Sequence, residues 1–202
     1  MSDSITKAER LIQLSKSHPV LRAGQLREAG ISSATIAAAV EAGTLERVSR
    51  GIYRHVDSEW DEHESLSEIA ARIPQAVIVL LSALNFHGIG THQAHAVYVL
   101  LRQNAVKPRI DYPPIEVIRS SIPEAFTEGV SVHCLNGVEV RITDPARTVA
   151  DCFKHRSKLG LELCLEALKE VHRSGATPAE FLHFARMNRV ENIMRPYLEA
   201  LS

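Results

Sequence analysis

The stretch Gly43-Thr44-Leu45-Glu46-Arg47-Val48-Ser49-Arg50-Gly51-Ile52-Tyr53-Arg54 follows a short helical pattern and reads as a tight basic hairpin. A hairpin in that position closes a winged helix-turn-helix, which restricts what can precede it. Upstream, apolar spacing predicts one helix through Ile5, Ala8 and Ile12, a second from about Leu21 to Ala29, and a third with Ile36 and Val40 four apart. His18-Pro19 blocks continuation of the first, Gly30 closes the second, Ser32 or Ser33 can cap the third, and Gly43 can take the left-handed conformation after it. The spacing from Gly30 to Ser33 suits the turn between the second and third helices.

The 202 residues suffice for one domain or two small ones, and 45% hydrophobic content is enough for a core. No apolar run approaches the roughly 20 residues that cross a bilayer, and the polar N-terminus lacks a signal-peptide apolar core, so a cytoplasmic protein is expected. Cys134, Cys152 and Cys164 are odd in number, lack CxxC spacing and each lie in an apolar pattern. They are expected to be buried small hydrophobes rather than a disulfide frame or zinc site. A net charge of −1 argues against coating nucleic acid through charge alone. Its distribution is uneven: residues 1–57 hold eight Lys/Arg against six acids, residues 58–74 five acids against one Arg, and residues 75–120 four bases against two acids. The domain boundary is therefore placed near Asp57, with a winged domain over 1–57 and a second domain over 58–202.

The second part predicts mixed α and β. Leu66, Ile69, Ala70 and Ile73 form one helix face ending before Pro74, Ala76-Val77-Ile78-Val79-Leu80-Leu81 suits a buried strand, and Ser82 is expected to cap a short helix. Further strands are predicted at Ala96–Leu101 and Ile115–Ile118. Val132 and Cys134 alternate with Ser131 and His133, Asn136-Gly137 supplies a type I′ turn, and Val138, Val140 and Ile142 alternate back. Helices follow, with Asp144 as cap before Pro145, an inner face of Val149, Cys152 and Phe153, and a next one of Leu161, Cys164, Leu165, Leu168 and Val171. Thr177-Pro178-Ala179-Glu180 is a capping box for a helix through Phe181, Leu182 and Ala185, and a last segment carries Tyr197, Leu198 and Leu201. The fold class is α+β: an N-terminal winged helix-turn-helix, then a mixed α/β C-terminal domain with an antiparallel hairpin and a helical C-terminus.

In a winged helix-turn-helix the third helix enters the major groove by its N-terminal residues and the wing reaches backbone or minor groove. Those positions here are Ser32, Ser33, Thr35 and Ala38 on the helix, with Arg47, Ser49, Arg50, Tyr53 and Arg54 on the wing. Between Ser32 and Ala42 there is no Arg, Lys, Asn or Gln, so specificity rests on hydroxyls, methyl contacts, wing arginines and groove shape. Dimeric binding to an inverted repeat is expected. The competing reading is a small helical domain for protein contacts.

Catalysis is not expected. There is no glycine-rich phosphate loop, GxSxG, HExxH or paired Cys set, and the predicted strands carry Glu116, Glu139 and Arg141 without the lysine of a metal-dependent nuclease. His87, His92 and His95 lack the accompanying carboxylates or thiolates of a metal motif, and no cofactor is implied. His87 is read as satisfying a backbone carbonyl, Asp144 as an N-cap, and Asp151 as the partner of Arg147 four residues earlier.

Three segments in succession carry a family resemblance: the hairpin Gly43-Thr44-Leu45-Glu46-Arg47-Val48-Ser49-Arg50-Gly51-Ile52-Tyr53, then Leu80-Leu81-Ser82-Ala83-Leu84-Asn85-Phe86-His87-Gly88-Ile89, then Val138-Glu139-Val140-Arg141-Ile142-Thr143-Asp144-Pro145-Ala146-Arg147-Thr148-Val149-Ala150-Asp151. In this order they resemble the AbiEi-type antitoxins of type IV toxin–antitoxin systems. The resemblance implies that the winged domain represses the operon's own promoter through inverted repeats. It also implies that the C-terminal domain counters a nucleotidyltransferase-like toxin in abortive phage defence, with or without touching it. A basic C-terminal surface is implied too, for which Arg102, Lys107, Arg109, Arg119, Arg141 and Arg147 are the candidates. The alternatives are a stand-alone transcriptional regulator whose C-terminal domain senses a ligand or protein partner, and a structural interaction protein.

Overall fold

In the computed structural model, which describes residues 6–17, 21–49, 51–57, 64–110 and 113–201, the N-terminal pattern folds around an apolar cluster of Leu11, Leu21, Leu26, Ile31, Ile36 and Leu45. Helices α1 (Lys7–Ser17), α2 (Ala23–Glu28) and α3 (Ser33–Glu41) supply three of these, Leu11, Leu26 and Ile36. Strand β1 (Leu21–Arg22) precedes α2, and β2 (Leu45–Ser49) and β3 (Ile52–His55) follow α3, forming an antiparallel sheet in the order β1-β3-β2. This arrangement fits a winged helix. The second predicted helix yields its first residues to the sheet, because Leu21 and Arg22 pair with Tyr53 and Ile52. Helix α1 is rotated from the expected face: Leu11 and Ser15 are buried, Ala8 is exposed and Ile12 half-buried. The predicted Ile5, the His18-Pro19 stop and the tip residue Arg50 lie outside the described residues.

Local chemistry explains the helix-turn-helix. After α2, Ile31 N–H reaches Leu26 O at 2.8 Å and Gly30 N–H reaches Arg27 O at 2.9 Å, the paired bonds of a Schellman ending, with Gly30 at φ 79° and the C″ residue Ile31 buried beside Leu26. Helix α3 opens with Ser32 Oγ accepting the Thr35 N–H at 3.2 Å and closes by the same device, Thr44 N–H to Ala39 O at 2.9 Å and Gly43 N–H to Val40 O at 3.1 Å.

The chain divides into two compact units, Met1–Pro74 with His133–Val140, and Gln75–Val132 with Arg141–Ser202. In the first unit α4 (Glu64–Arg72) buries Leu66, Ile69 and Ala70 as its spacing predicts, with Ile73 just beyond. A five-stranded mixed sheet has the order β6-β5-β4-β8-β7, from β4 (Val77–Ile78), β5 (Val97–Arg102), β6 (Ile115–Ser120), β7 (Val130–Leu135) and β8 (Val138–Thr143). Strands β5 and β6 run parallel from Val97↔Ile115 to Arg102↔Ser120.

Three sequence expectations change here. Only Val77–Ile78 of the Ala76–Leu81 run is strand; Leu80, at φ 52°, opens α5 (Leu80–Phe86). Ser82 sits inside that helix, where its Oγ accepts the Tyr98 N–H at 2.9 Å and ties helix to sheet rather than capping. The turn at Asn136-Gly137 has both residues at positive φ, 50° and 71°, as a type I′ turn requires. Strand β8 turns Val138, Val140 and Ile142 inward, yet on the edge strand β7 Val132 is 59% exposed and Cys134 is exposed as well. The expectation that all three cysteines are buried thus fails at Cys134, while Cys152 and Cys164 are buried.

The second unit's core joins helices to Val77, Tyr98 and Leu100 of the sheet. Helix α6 (Pro145–Lys154) carries Val149, Cys152 and Phe153, each fully buried, against α8 (Leu161–Arg173), α9 (Pro178–Met187) and α10 (Glu191–Glu199), with the single turn α7 (Arg156–Leu159) between α6 and α8. In α8 the buried face is Leu163, Cys164, Ala167, Leu168 and Val171, so Leu161 is on the surface and Leu165 only half-buried. The capping box at Thr177 forms in both directions: Glu180 N–H to Thr177 Oγ1 at 3.3 Å and Thr177 N–H to Glu180 Oε2 at 2.7 Å.

Candidate nucleic-acid interface

At the start of α3 Ser32 and Ser33 are exposed, and the helix continues outward with Ala34, Ala37 and Ala38. From Ser32 to Ala38 these exposed positions carry only hydroxyls and methyls, which lets backbone approach a groove closely; the exposed Glu41 follows at the end of the helix. Thr35 is half-buried, and its Oγ1 lies 2.9 Å from the Ser32 Oγ, so its hydroxyl is engaged with the cap. On the wing, Arg47 is exposed and stands opposite Tyr53, which is half-buried against the apolar cluster. Arg54 faces Glu46 across the hairpin and pairs with it, and Glu64 lies 3.6 Å away. The ladder shifts register between Arg47 and Ser49, a bulge that increases local twist at the wing's outer end.

Residues 9–55 match the family model described as "Transcriptional regulator, AbiEi antitoxin". This segment belongs to the AbiEi antitoxin family. The match spans the helix-turn-helix and the wing of the AbiEi domain. The crystal structure of the RV2827C protein from Mycobacterium tuberculosis is similar in fold to the whole chain, with a TM-score of 0.55 at 14% identity over 96% of this chain and 80% of that one. No curated protein matches the chain.

Beyond the matched segment, the expected basic residues separate into four settings. Arg102 and Arg141 line one cleft of about 410 Å³ together with Gln75, Asn104, Ala105 and Phe126. The Arg102 guanidinium lies 5.1 Å from the centroid of the buried Phe126 ring, and Arg141 donates to the Phe126 carbonyl. Arg119 serves that cleft indirectly. Its Nη1 donates to the carbonyls of Arg102, Gln103 and Ala105 at 3.1, 3.0 and 2.7 Å, which pins the chain leaving β5. Lys107 and Arg109 are exposed on the following loop.

Arg147 does not belong to any surface, being 1% exposed. Its Nε donates to Asp151 Oδ1 at 3.0 Å, Nη1 to Glu128 O at 2.8 Å and Nη2 to Ala125 O at 3.4 Å, and the Phe184 ring centroid is 6.0 Å from its guanidinium carbon. Asn188 Nδ2 donates to the same Asp151 oxygen at 2.6 Å. Gly129 permits this packing: at φ 60°, a Cβ there would sit 2.7 Å from the Phe184 ring and 2.9 Å from the Arg147 Cβ. Beside the pair is a polar crevice of roughly 20 Å³, the room of one water, bounded by Lys154 and His155. Burial lowers the His155 pKa below the ordinary imidazole range.

The remaining candidates have structural explanations. His87 Nε2 lies 2.8 Å from Thr143 O, the carbonyl contact read from sequence. Asp144 takes the N-cap position before Pro145, but its carboxylate accepts from Ser131 Oγ at 2.5 Å instead of capping α6. Among the described residues no three His, Cys, Asp or Glu converge as a metal site, and no helix is long and apolar enough to cross a membrane. Sequence reading missed Gln75, Asn104 and Phe126 as companions of Arg102 and Arg141; no local signal marks them, since they meet only in the folded unit.

Proposed function

We propose that this chain is the antitoxin of a type IV toxin–antitoxin pair. Residues 1–57 bind inverted repeats in its own promoter as a dimer, and residues 58–202 oppose a nucleotidyltransferase-like toxin in the cytoplasm, as part of abortive phage defence. The protein acts by binding and not by catalysis. The observation that carries this reading is the AbiEi match over residues 9–55, on a winged fold that exposes Ser33 and Arg47 where groove and backbone contacts are made. Ser32, Thr35, Ser49, Arg50, Tyr53 and Arg54 complete the DNA-facing set, with Thr35, Tyr53 and Arg54 acting chiefly by holding helix and wing in place. The exposed Arg102, Lys107, Arg109, Arg119 and the half-buried Arg141 supply the basic surface of the C-terminal part.

The test is binding of the purified protein to the DNA upstream of its gene, by fluorescence anisotropy at two salt concentrations with an unrelated duplex as control. Selective, salt-dependent binding with two protomers per site supports autoregulation. Equal affinity for both duplexes, or none, rejects it. Co-expression with a neighbouring nucleotidyltransferase-like gene tests the second half: growth must return with the full chain and fail without it.

A further inference from the structure

A cleft lies between β5, β8 and the 3-10 turn Pro123–Phe126. It presents two guanidiniums, Arg102 and Arg141, and among the described residues neither has a carboxylate partner. Three other exposed cations of this unit do have carboxylate partners: Lys158 with Glu116 at 2.8 Å, and both Arg186 and Arg195 with Glu191. An unmatched pair of arginines in a concave site carries a local charge of about +2 with donors arranged as planar forks, the geometry that fits phosphate oxygens bidentately.

The site is also held in advance of any ligand. Arg119 spends its guanidinium on the backbone at Arg102, Gln103 and Ala105, fixing the chain from which Arg102 and Asn104 project. Phe126 fixes the other side, since its buried ring underlies Arg102 and its carbonyl accepts from one Arg141 donor, so the guanidinium keeps further donors. Gln75 and Asn104 add amide donors and acceptors at the rim. The volume, about 410 Å³, lies in the usual span of small-molecule sites, roughly 300–1,000 Å³. It exceeds what inorganic phosphate alone would fill.

We propose that this cleft binds the phosphate of a nucleotide, with Arg102 and Arg141 gripping the phosphate oxygens and Gln75 and Asn104 meeting the polar atoms of the attached nucleoside. The same phosphate chemistry comes from a free nucleotide or from a nucleic-acid strand. The proposal stands independently of the antitoxin reading, because it concerns binding by this cleft alone.

The experiment is calorimetric titration of the full-length protein at low salt with sodium phosphate, with adenosine and guanosine 5′-monophosphates, and with a five-nucleotide thymidine oligomer. Binding of a mononucleotide, weakened about tenfold or more in Arg102→Gln and in Arg141→Gln but unchanged in Arg47→Ala, is the expected result. Oligomer binding that exceeds mononucleotide binding, with the same loss in both cleft variants, assigns the phosphate to a strand and upholds the site. Thermal melting checks that each variant is folded. Should Arg141→Gln unfold, Arg102→Gln decides, since the exposed Arg102 side chain only stacks on Phe126. Absence of binding by all four titrants, binding of inorganic phosphate alone, or binding that survives in the Arg102 variant overturns the proposal.

Discussion

Arg54 and Glu46 stand directly opposite each other on the two strands of the wing and form an ion pair, with Glu64 a further 3.6 Å neighbour of the same guanidinium. A wing that looks tribasic in sequence therefore presents one of its charges already compensated. The effect on DNA binding is specific. Arg47→Ala should lower the slope of log affinity against log salt by roughly one, while Glu46→Gln should steepen it and tighten binding to any duplex by releasing Arg54 toward phosphate. Anisotropy titrations across a salt series test both; a slope that does not respond to Glu46→Gln sinks the idea that the pair silences Arg54.

Ser32 and Ser33 are neighbours with different duties. Ser32 caps α3 through the Thr35 N–H, so Ser32→Ala should destabilise the winged unit by about 1 kcal/mol. Ser33 is exposed and has no such bond, so Ser33→Ala should leave the melting temperature in place and change the preferred operator bases. Melting curves and a binding-site selection separate the two; equal loss of stability would refute the division.

Arg147 should behave as a core residue. Removing it leaves Asp151 buried with only Asn188 to satisfy it, and Arg147→Ala is expected to cost about 3–5 kcal/mol. Chemical denaturation gives the number, and Arg102→Ala, whose side chain is exposed, is the comparison expected to unfold near wild type. A stable Arg147→Ala protein would contradict the buried network.

Glu68 gives the first unit a pH dependence. Its carboxylate is buried in α4, and desolvation raises its pKa above the ordinary glutamate range, outweighing Arg72 and Arg54, which pull it down. A folded-state pKa above the unfolded one means that folding takes up a proton, so this contribution weakens as pH rises from the ordinary glutamate value through the raised one. Glu68→Gln should remove that loss. The melting temperature of the variant minus that of wild type is expected to increase from pH 4 to pH 7, and a flat or falling difference would reverse the assignment.

Where the physics is local, the sequence is a sound guide. Ser32, Gly30, Gly43, the Thr177–Glu180 box and Asn136-Gly137 act on backbone groups a few positions away, and each does what its residue type dictates. The amphipathic stripe of α6 also reads correctly, because Val149, Cys152 and Phe153 share one helix face whatever they pack against. Readings fail where two local structures are nearly equal. Leu21-Arg22 and Leu80-Leu81 are acceptable in helix or strand, and the partner strand β3 or the following turn decides. The alternation in β7 reveals a strand but not which side is buried, and as the edge strand it exposes Val132 and Cys134.

The basic residues show the same division most clearly. Chain order alone marks Arg102, Lys107, Arg109, Arg119, Arg141 and Arg147 as one set, since charge is a property of each side chain. Only the tertiary structure sends Arg147 inside to Asp151, makes Arg119 a backbone clamp, and leaves Arg102 and Arg141 facing one cleft. The reason is distance along the chain. Turns, and caps such as Ser32 and Thr177, are settled by neighbours within a turn or two, whereas burial, pairing, a shared cleft and the partners that draw Ser82 and Asp144 away from capping depend on which distant segments the core brings together.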